Sequence, residues 1–355
     1  MSRNYNNLMS RVFELVLFGS LILLPFVTSS FRVALFGKYL SYSIAAVGIV
    51  LLWGYTGILS LGQAVFFGLG AYALGMYLKL EASNFGLTDF MQWCGLEKLP
   101  LLWVPFKNVF IAILLGILIP ALLAGALGYF TFKRNIKDVY FTLITQALAV
   151  IFVTLFIGQQ PLTGGTNGLT NFKTFLGISL KDEKIKMWIY YLTLAVVIVL
   201  YVVGKVIVKK YGNILIAIRD NEERLKYLGI NPLGYKIAIY IFSAILAAIG
   251  GMLFVLNVGM ISPSEMGIIP SIELVLGVAI GGKVNLLGGI VGTVVAYFLK
   301  SIISENYPDI WLYLLGVVFI MISLIEYTNI KLIKNIRFSK FKKTHNILKI
   351  NEKLR

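Results

Sequence analysis

The sequence predicts an all-α integral membrane protein of about ten transmembrane helices, with short or broken segments and one amphipathic helix on the cytoplasmic side. Three observations predict it. Of 355 residues, 58% are apolar and only 14% charged, with a mean hydropathy of +0.85, whereas about a quarter of the residues in soluble domains are charged. Apolar runs of the roughly 20 residues needed to cross a bilayer recur along the chain. The runs are also continuous, without the alternation of lipid-facing barrel strands, so helices must satisfy the backbone.

The expected spans are 12–29, 33–53, 57–78, 106–131, 138–157, 187–207, 236–257, 266–282, 286–304 and 310–327, the eighth being the shortest. Residues 1–11 form a cytoplasmic N-terminus, 12–327 one membrane domain and 328–355 a basic cytoplasmic tail. The start, "MSRNYNNLMSRVFELVLFGSLILLPFVTSSF", places basic residues before an apolar run as a cleaved signal does. It has no small-x-small cleavage site, so it reads as a retained first helix.

Basic residues set the orientation. Most of the 32 Lys and Arg fall on one side: Arg3, Arg11, Lys133, Arg134, Lys137, the cluster from Lys205 to Lys236, Lys283 and the tail. That side is read as cytoplasmic, with both termini inside. Arg32 and Lys38 fall outside and make the first hairpin an exception. With no soluble domain to host it, the net charge of +16 gives nucleic-acid binding little support.

The third span contains "GILSLGQAVFFGLGAYALG". Ser60, Ala64, Gly68, Ala71 and Gly75 recur every three or four residues, a small-residue face that lets another helix approach closely. "GLGAYA" fits a dinucleotide pattern but lies inside an apolar run, without the soluble strand that pattern needs. "GVAIGGK", Gly277 to Lys283, satisfies GxxxxGK, yet Val284 stands where a magnesium-binding Ser or Thr belongs.

Polar residues inside the spans point to a solute route, because burying them in hydrocarbon is costly. Gln63, Tyr140, Thr142, Thr145, Gln146 and Thr154 gather in the third and fifth spans, and Glu273 begins the eighth. Each alone also fits a helix-to-helix hydrogen bond. Except for Glu273 they are neutral and suit a small, uncharged, hydrogen-bonding solute. Glu273 reads equally as a pathway residue, a buried structural acid or an acid near the outer surface. The loop "GQQPLTGGTNGLTNF" carries turn-forming glycines and the neutral Thr163 and Asn167, either as an ordinary solvated loop or as a rim at an outer mouth.

The inner segment 209–236 reads as an amphipathic helix from Ile214 to Leu228. Ile214, Ile218, Leu225 and Leu228 share one face, with Arg219, Glu222, Glu223 and Lys226 mostly elsewhere. Asp220 with Arg224 and Glu222 with Lys226 have i,i+4 spacing, each pair worth about 0.2–0.5 kcal/mol. Gly229 supplies a left-handed stop. Such a helix either lies on the lipid surface or docks a protein, and its three acids favour docking.

Catalysis finds no support. Cys94 is the only cysteine and His345 the only histidine, so neither an internal disulfide nor a Cys/His metal site is expected. Paired intramembrane acids suited to general acid–base work or ion relays are also missing.

Four stretches together resemble the branched-chain amino-acid type of ABC-transporter permease: "GYTGILSLGQAVFFGLGAYALG", "VYFTLITQALAVIFVTLF" followed by "LTGGTNGLT", "AIRDNEERLKYLGINPLGYKI", and "GMISPSEMGIIPSIELVLGVAIGG". "FFGLGAYALGMYLKLEA", "DFMQWCGLEKLP" and "LTQALAVIFVTLFIGQQPLTGGTNGLT" look most like the urea-transport permeases of that family. The resemblance covers about residues 45–325; "GGKVNLLGG" departs from it, since many relatives have a glycine-richer turn there. It implies an inner-membrane subunit that imports urea with a second homologous permease, two cytoplasmic ATPases that bind ATP and Mg, and a periplasmic urea-binding protein. It assigns Arg219, Asp220, Asn221, Glu222, Arg224, Leu228 and Gly229 to the segment that docks on an ATPase. An importer of branched-chain amino acids or short amides, and a passive urea or amide channel, are the alternatives.

Overall fold

The computed structural model describes residues 2–136, 138–307, 310–321 and 324. Lys137, the end of the tenth expected span and the basic tail 328–355 lie outside the described residues.

In chain order, the helices are α1 (Ser2–Val27) and α2 (Ser30–Ile49), the latter running on through a π-helical turn, Val50–Tyr55. Residues 57–62 are irregular, and α3 (Gln63–Ala82) begins after them. Next come α4 (Asp89–Trp93), a 3-10 turn at Leu101–Lys107, α5 (Val109–Lys133), α6 (Asp138–Gly158) and α7 (Gln160–Thr163). A small hairpin, β1 (Thr174–Phe175) with β2 (Ile178–Ser179), pairs Thr174 with Ser179. The long α8 (Glu183–Tyr227) and α9 (Pro232–Val258) follow. A 3-10 turn at Pro263–Met266 then leads to α10 (Ile268–Gly281) and α11 (Leu286–Asn306).

Among the described residues, six helices are long and apolar enough to cross a membrane: α2 with its π-helical turn, α5, α6, α8, α9 and α11. α3 is 20 residues long, and three shorter apolar helices, Glu14–Val27, Ile268–Gly281 and Ile310–Met321, occupy the first, eighth and tenth expected positions. The all-α membrane architecture read from composition is the one observed. Contacts divide the chain into two compact units, 1–299 and 300–355.

In the first unit, α2 and α9 form the buried centre, while α5 and α6 leave most of their surface open. Backbones meet where side chains are absent. Gly70 of α3 lies against the Ala248 carbonyl of α9, and Gly251 of α9 lies against that of Phe67. A Cβ at either position would overlap main-chain atoms. Around this seam, the rings of Tyr42, Phe67 and Phe254 pack with centroids 5.0–5.4 Å apart.

Two expectations are corrected. The third span does not start at Gly57: that glycine has a φ of +79°, which ends the preceding helix and places Ser60 in the irregular segment rather than on a helix face. Within α3, Gly68 abuts Met266, and Gly75 abuts Ile261 and Leu169. Those glycines therefore admit loop residues, and Gly70 admits the helix.

The second correction concerns the helix expected at Ile214–Leu228, which is continuous with the preceding span in α8. Between Lys205 and Asp220 the costliest residue for a helix is Gly212, and one glycine costs about 1 kcal/mol, too little to break it. The break falls instead at Asn221, with φ −166° and ψ 98°.

Candidate solute junction and coupling site

Near the basic end of the first unit, the irregular segment 57–62 exposes backbone groups that a helix would have satisfied internally. Side chains from other helices take them over. Thr142 of α6 donates to the Leu59 carbonyl at 2.9 Å, and the Leu61 N–H donates to Thr145 Oγ1 at 3.1 Å. The Ala64 N–H donates to Ser271 Oγ of α10 at 3.2 Å. Gly62 permits this close fit, since a Cβ there would stand 2.7 Å from the Thr145 carbonyl oxygen.

Gln63, the first residue of α3, is only 1% exposed, and neither its amide oxygen nor its amide nitrogen has a hydrogen-bond partner. A carboxamide left this way forfeits about 1–3 kcal/mol. The free carboxamide can both donate to and accept from a polar partner.

The remaining predicted path residues are dispersed. Thr145 is buried beside the segment that leads into Gln63. Tyr140 is 61% exposed on the opposite face of α6, and Gln146 is half-buried. Thr163 and Asn167 lie past the other end of α6, where the Thr163 hydroxyl donates to the Phe156 and Gln159 carbonyls and Asn167 is exposed. That end is a tied cap: Leu169 and Ile261 exchange backbone hydrogen bonds of 2.8 and 2.9 Å.

Glu273 is buried in α10, where its charge faces the Tyr297 side chain of α11. The Tyr297 ring stacks on Tyr42 at 3.9 Å, and the Tyr42 hydroxyl donates to Glu265 at 3.0 Å. The acid thus belongs to a tyrosine–carboxylate cluster joining α2, α10 and α11. Sequence reasoning missed this cluster and also the buried Lys79, which pairs with Asp89 at 2.8 Å and donates to the Thr170 carbonyl at 2.8 Å.

The coupling segment also reads differently in three dimensions. Arg219 points inward: its guanidinium donates to the Gly54 carbonyl at 2.7 Å, and a Cβ on Gly57 would lie 2.7 Å from its Cγ. Asn221 caps the last turns of α8 by accepting from the Arg224 N–H at 3.1 Å. Because the kink at Asn221 separates them, Asp220 contacts Arg219 rather than Arg224. Glu222 pairs with Lys236 and, at 3.7 Å, with Lys226, as its i,i+4 spacing predicts.

Ile218 and Leu225 are buried as expected, but Leu228 is 76% and Tyr227 90% exposed. Gly229, with φ +78°, turns the chain away after them. The surface left outward is Tyr227 and Leu228 with Glu223, Arg224 and Lys226, a short apolar knob ringed by charge.

A multi-helix membrane unit with a broken helix, a buried neutral polar junction and a protruding helix end is the build of a membrane transport component. The family model described as branched-chain amino acid transport system / permease component matches residues 32–323, and the chain belongs to that family. It is similar to the high-affinity branched-chain amino acid transport system permease protein LivM of Salmonella typhimurium, with 22% identity over 83% of this chain. The same-named protein of Escherichia coli is 22% identical over 79% of the chain. A probable branched-chain amino acid transport permease of Methanocaldococcus jannaschii is 24% identical over 78% of the chain and 82% of its own length. The match spans about two thirds of the two enterobacterial proteins, 69% and 65% of their lengths. No solved structure matches the chain. The family consists of transport subunits, not enzymes.

Proposed function

We propose that this chain is the permease of an ATP-driven importer for urea in the bacterial inner membrane. It works with a second homologous permease, two cytoplasmic ATPases that bind ATP and Mg, and a periplasmic urea-binding protein. The observation that carries the solute is the unpartnered Gln63 carboxamide. Urea is itself a carboxamide, with one carbonyl acceptor and two NH2 donors, so it complements both free atoms of Gln63. The groups around the junction, Ser60, Thr142, Thr145 and Ser271, are neutral. An α-amino acid would bring an ammonium and a carboxylate, whose burial is costly without charged partners.

The basic end faces the cytoplasm in this reading. ATP binding closes the ATPases on the exposed Tyr227–Leu228 knob, and α8 carries the movement to Arg219. Arg219 passes it to Gly54 and the 57–62 segment, which shifts against Thr142 and Thr145 and opens the junction to alternate sides.

The test is uptake into vesicles holding the complete transporter, with labelled urea and labelled leucine in parallel. Urea accumulation that needs both ATP and the binding protein is the expected result. Leucine accumulation without urea would overturn the urea assignment in favour of the solute class named for the relatives. Passive urea equilibration without ATP would make the protein a channel and overturn the importer.

A further inference from the structure

A groove of about 840 Å³ opens at the basic end of the first unit, between α1, α8 and the start of α11. Its two ends differ in chemistry. Along α11, Leu286, Leu287, Val291 and Val295 give it an apolar wall. Those residues span about 14 Å at 1.5 Å per residue. Along α8, Tyr201, Lys205 and Lys209 occur one turn apart, so polarity rises toward the end where Lys209 sits.

The charges are unequal. Lys205 is neutralised by Glu14 at 2.7 Å and lies over the Tyr201 ring. Lys209 lines the same groove, and among the described residues its ammonium has no carboxylate partner. The groove therefore carries one uncompensated positive charge beside an apolar trough.

We propose that this groove holds an anionic phospholipid, one acyl chain lying along α11 and the phosphate meeting Lys209. Charge complementarity argues for this occupant over a zwitterionic lipid, because a basic pocket between membrane helices selects anionic headgroups. The trough argues for a lipid over free phosphate, which has no chain to fill it. The proposal stands apart from the identity of the transported solute.

The test is thermal unfolding of the delipidated full-length protein in neutral detergent. Phosphatidylglycerol, phosphatidylcholine or inorganic phosphate is added at matched concentrations, and affinities are taken from the dose dependence of Tm. One near-surface lysine favours the anionic lipid by about fivefold. Wild type should bind phosphatidylglycerol about fivefold more tightly than phosphatidylcholine and show no shift with phosphate. Lys209→Gln, an exposed and fold-neutral change, should equalise the two lipids, and Val291→Trp should weaken both by filling the trough. Equal lipid affinities in wild type, a preference undiminished in Lys209→Gln, or an equal shift from inorganic phosphate would each overturn the proposal. If Val291→Trp does not fold, the Lys209→Gln comparison decides alone.

Discussion

Arg219 offers the sharpest separation between docking on an ATPase and transmitting its movement. Its guanidinium donates to the Gly54 carbonyl at 2.7 Å, the last turn of helix before the 57–62 segment. A hydrogen bond from a charged group contributes about 1.5–3 kcal/mol. The Arg219 side chain is 32% exposed, so solvent screening places the value near the lower limit, about 1.5 kcal/mol, or roughly a tenfold change in an equilibrium. Arg219→Ala should therefore reduce urea transported per ATP hydrolysed by about tenfold, while ATPase subunits still co-purify. Gly57→Ala perturbs the same contact from the other side, because its Cβ would crowd Arg219 Cγ and its φ of +79° disfavours a side chain. Uptake and ATP turnover measured in the same vesicles provide the ratio. If Arg219→Ala loses bound ATPase in proportion to lost uptake, Arg219 is a docking contact and the transmission route is wrong.

Two further outcomes follow from the same geometry. Leu228→Asp, on the exposed knob, should abolish ATPase co-purification while leaving the permease's own Tm within about 0.5 kcal/mol equivalent, as exposed substitutions usually do; thermal unfolding and pull-down check it together. Gln63→Leu should raise stability by about 1–3 kcal/mol through removal of an unsatisfied buried amide, yet eliminate urea uptake. Denaturant unfolding and vesicle uptake on one preparation would show whether stability and transport move in opposite directions.

The all-α membrane architecture was legible because an apolar run is local and needs no knowledge of its neighbours, and six of the ten expected spans are helices of full crossing length among the described residues. Small residues in α3 were legible as a class, but not by partner: whether Gly68 or Gly70 admits α9 depends on the register that sets Gly70 against Ala248, far along the chain. Distance also hid the tyrosine–carboxylate cluster, since Tyr42 and Glu265 are 223 residues apart. Asn221 is different, because its signal was local. Asn followed by Glu-Glu is a helix start, with a side-chain cap and acids in the first turn. Reading Ile214–Leu228 by apolar periodicity alone passed over it. Gln63 was legible as a polar residue in a span, but only the folded chain shows that both its amide atoms lack partners.

In the proposed mechanism, the irregular segment 57–62 links the coupling end to the solute junction through its energetics. A continuous helix at this depth holds its own backbone bonds, and breaking them in hydrocarbon costs several kcal/mol each. Here Thr142, Thr145 and Ser271 supply three bonds from α6 and α10. At about 0.5–1.5 kcal/mol each, they total roughly 1.5–4.5 kcal/mol. Reversing a two-state population from 1:99 to 99:1 takes about 5.5 kcal/mol, so holding these three bonds in one state and losing them in the other would supply roughly a quarter to four fifths of such a shift without unravelling a helix. Arg219 acts on one end of the segment and Gln63 begins at the other. In the proposed mechanism, movement of α8 resets the surroundings of the buried amide by changing which threonines the segment bonds, while α3 and α9 stay packed through their glycines.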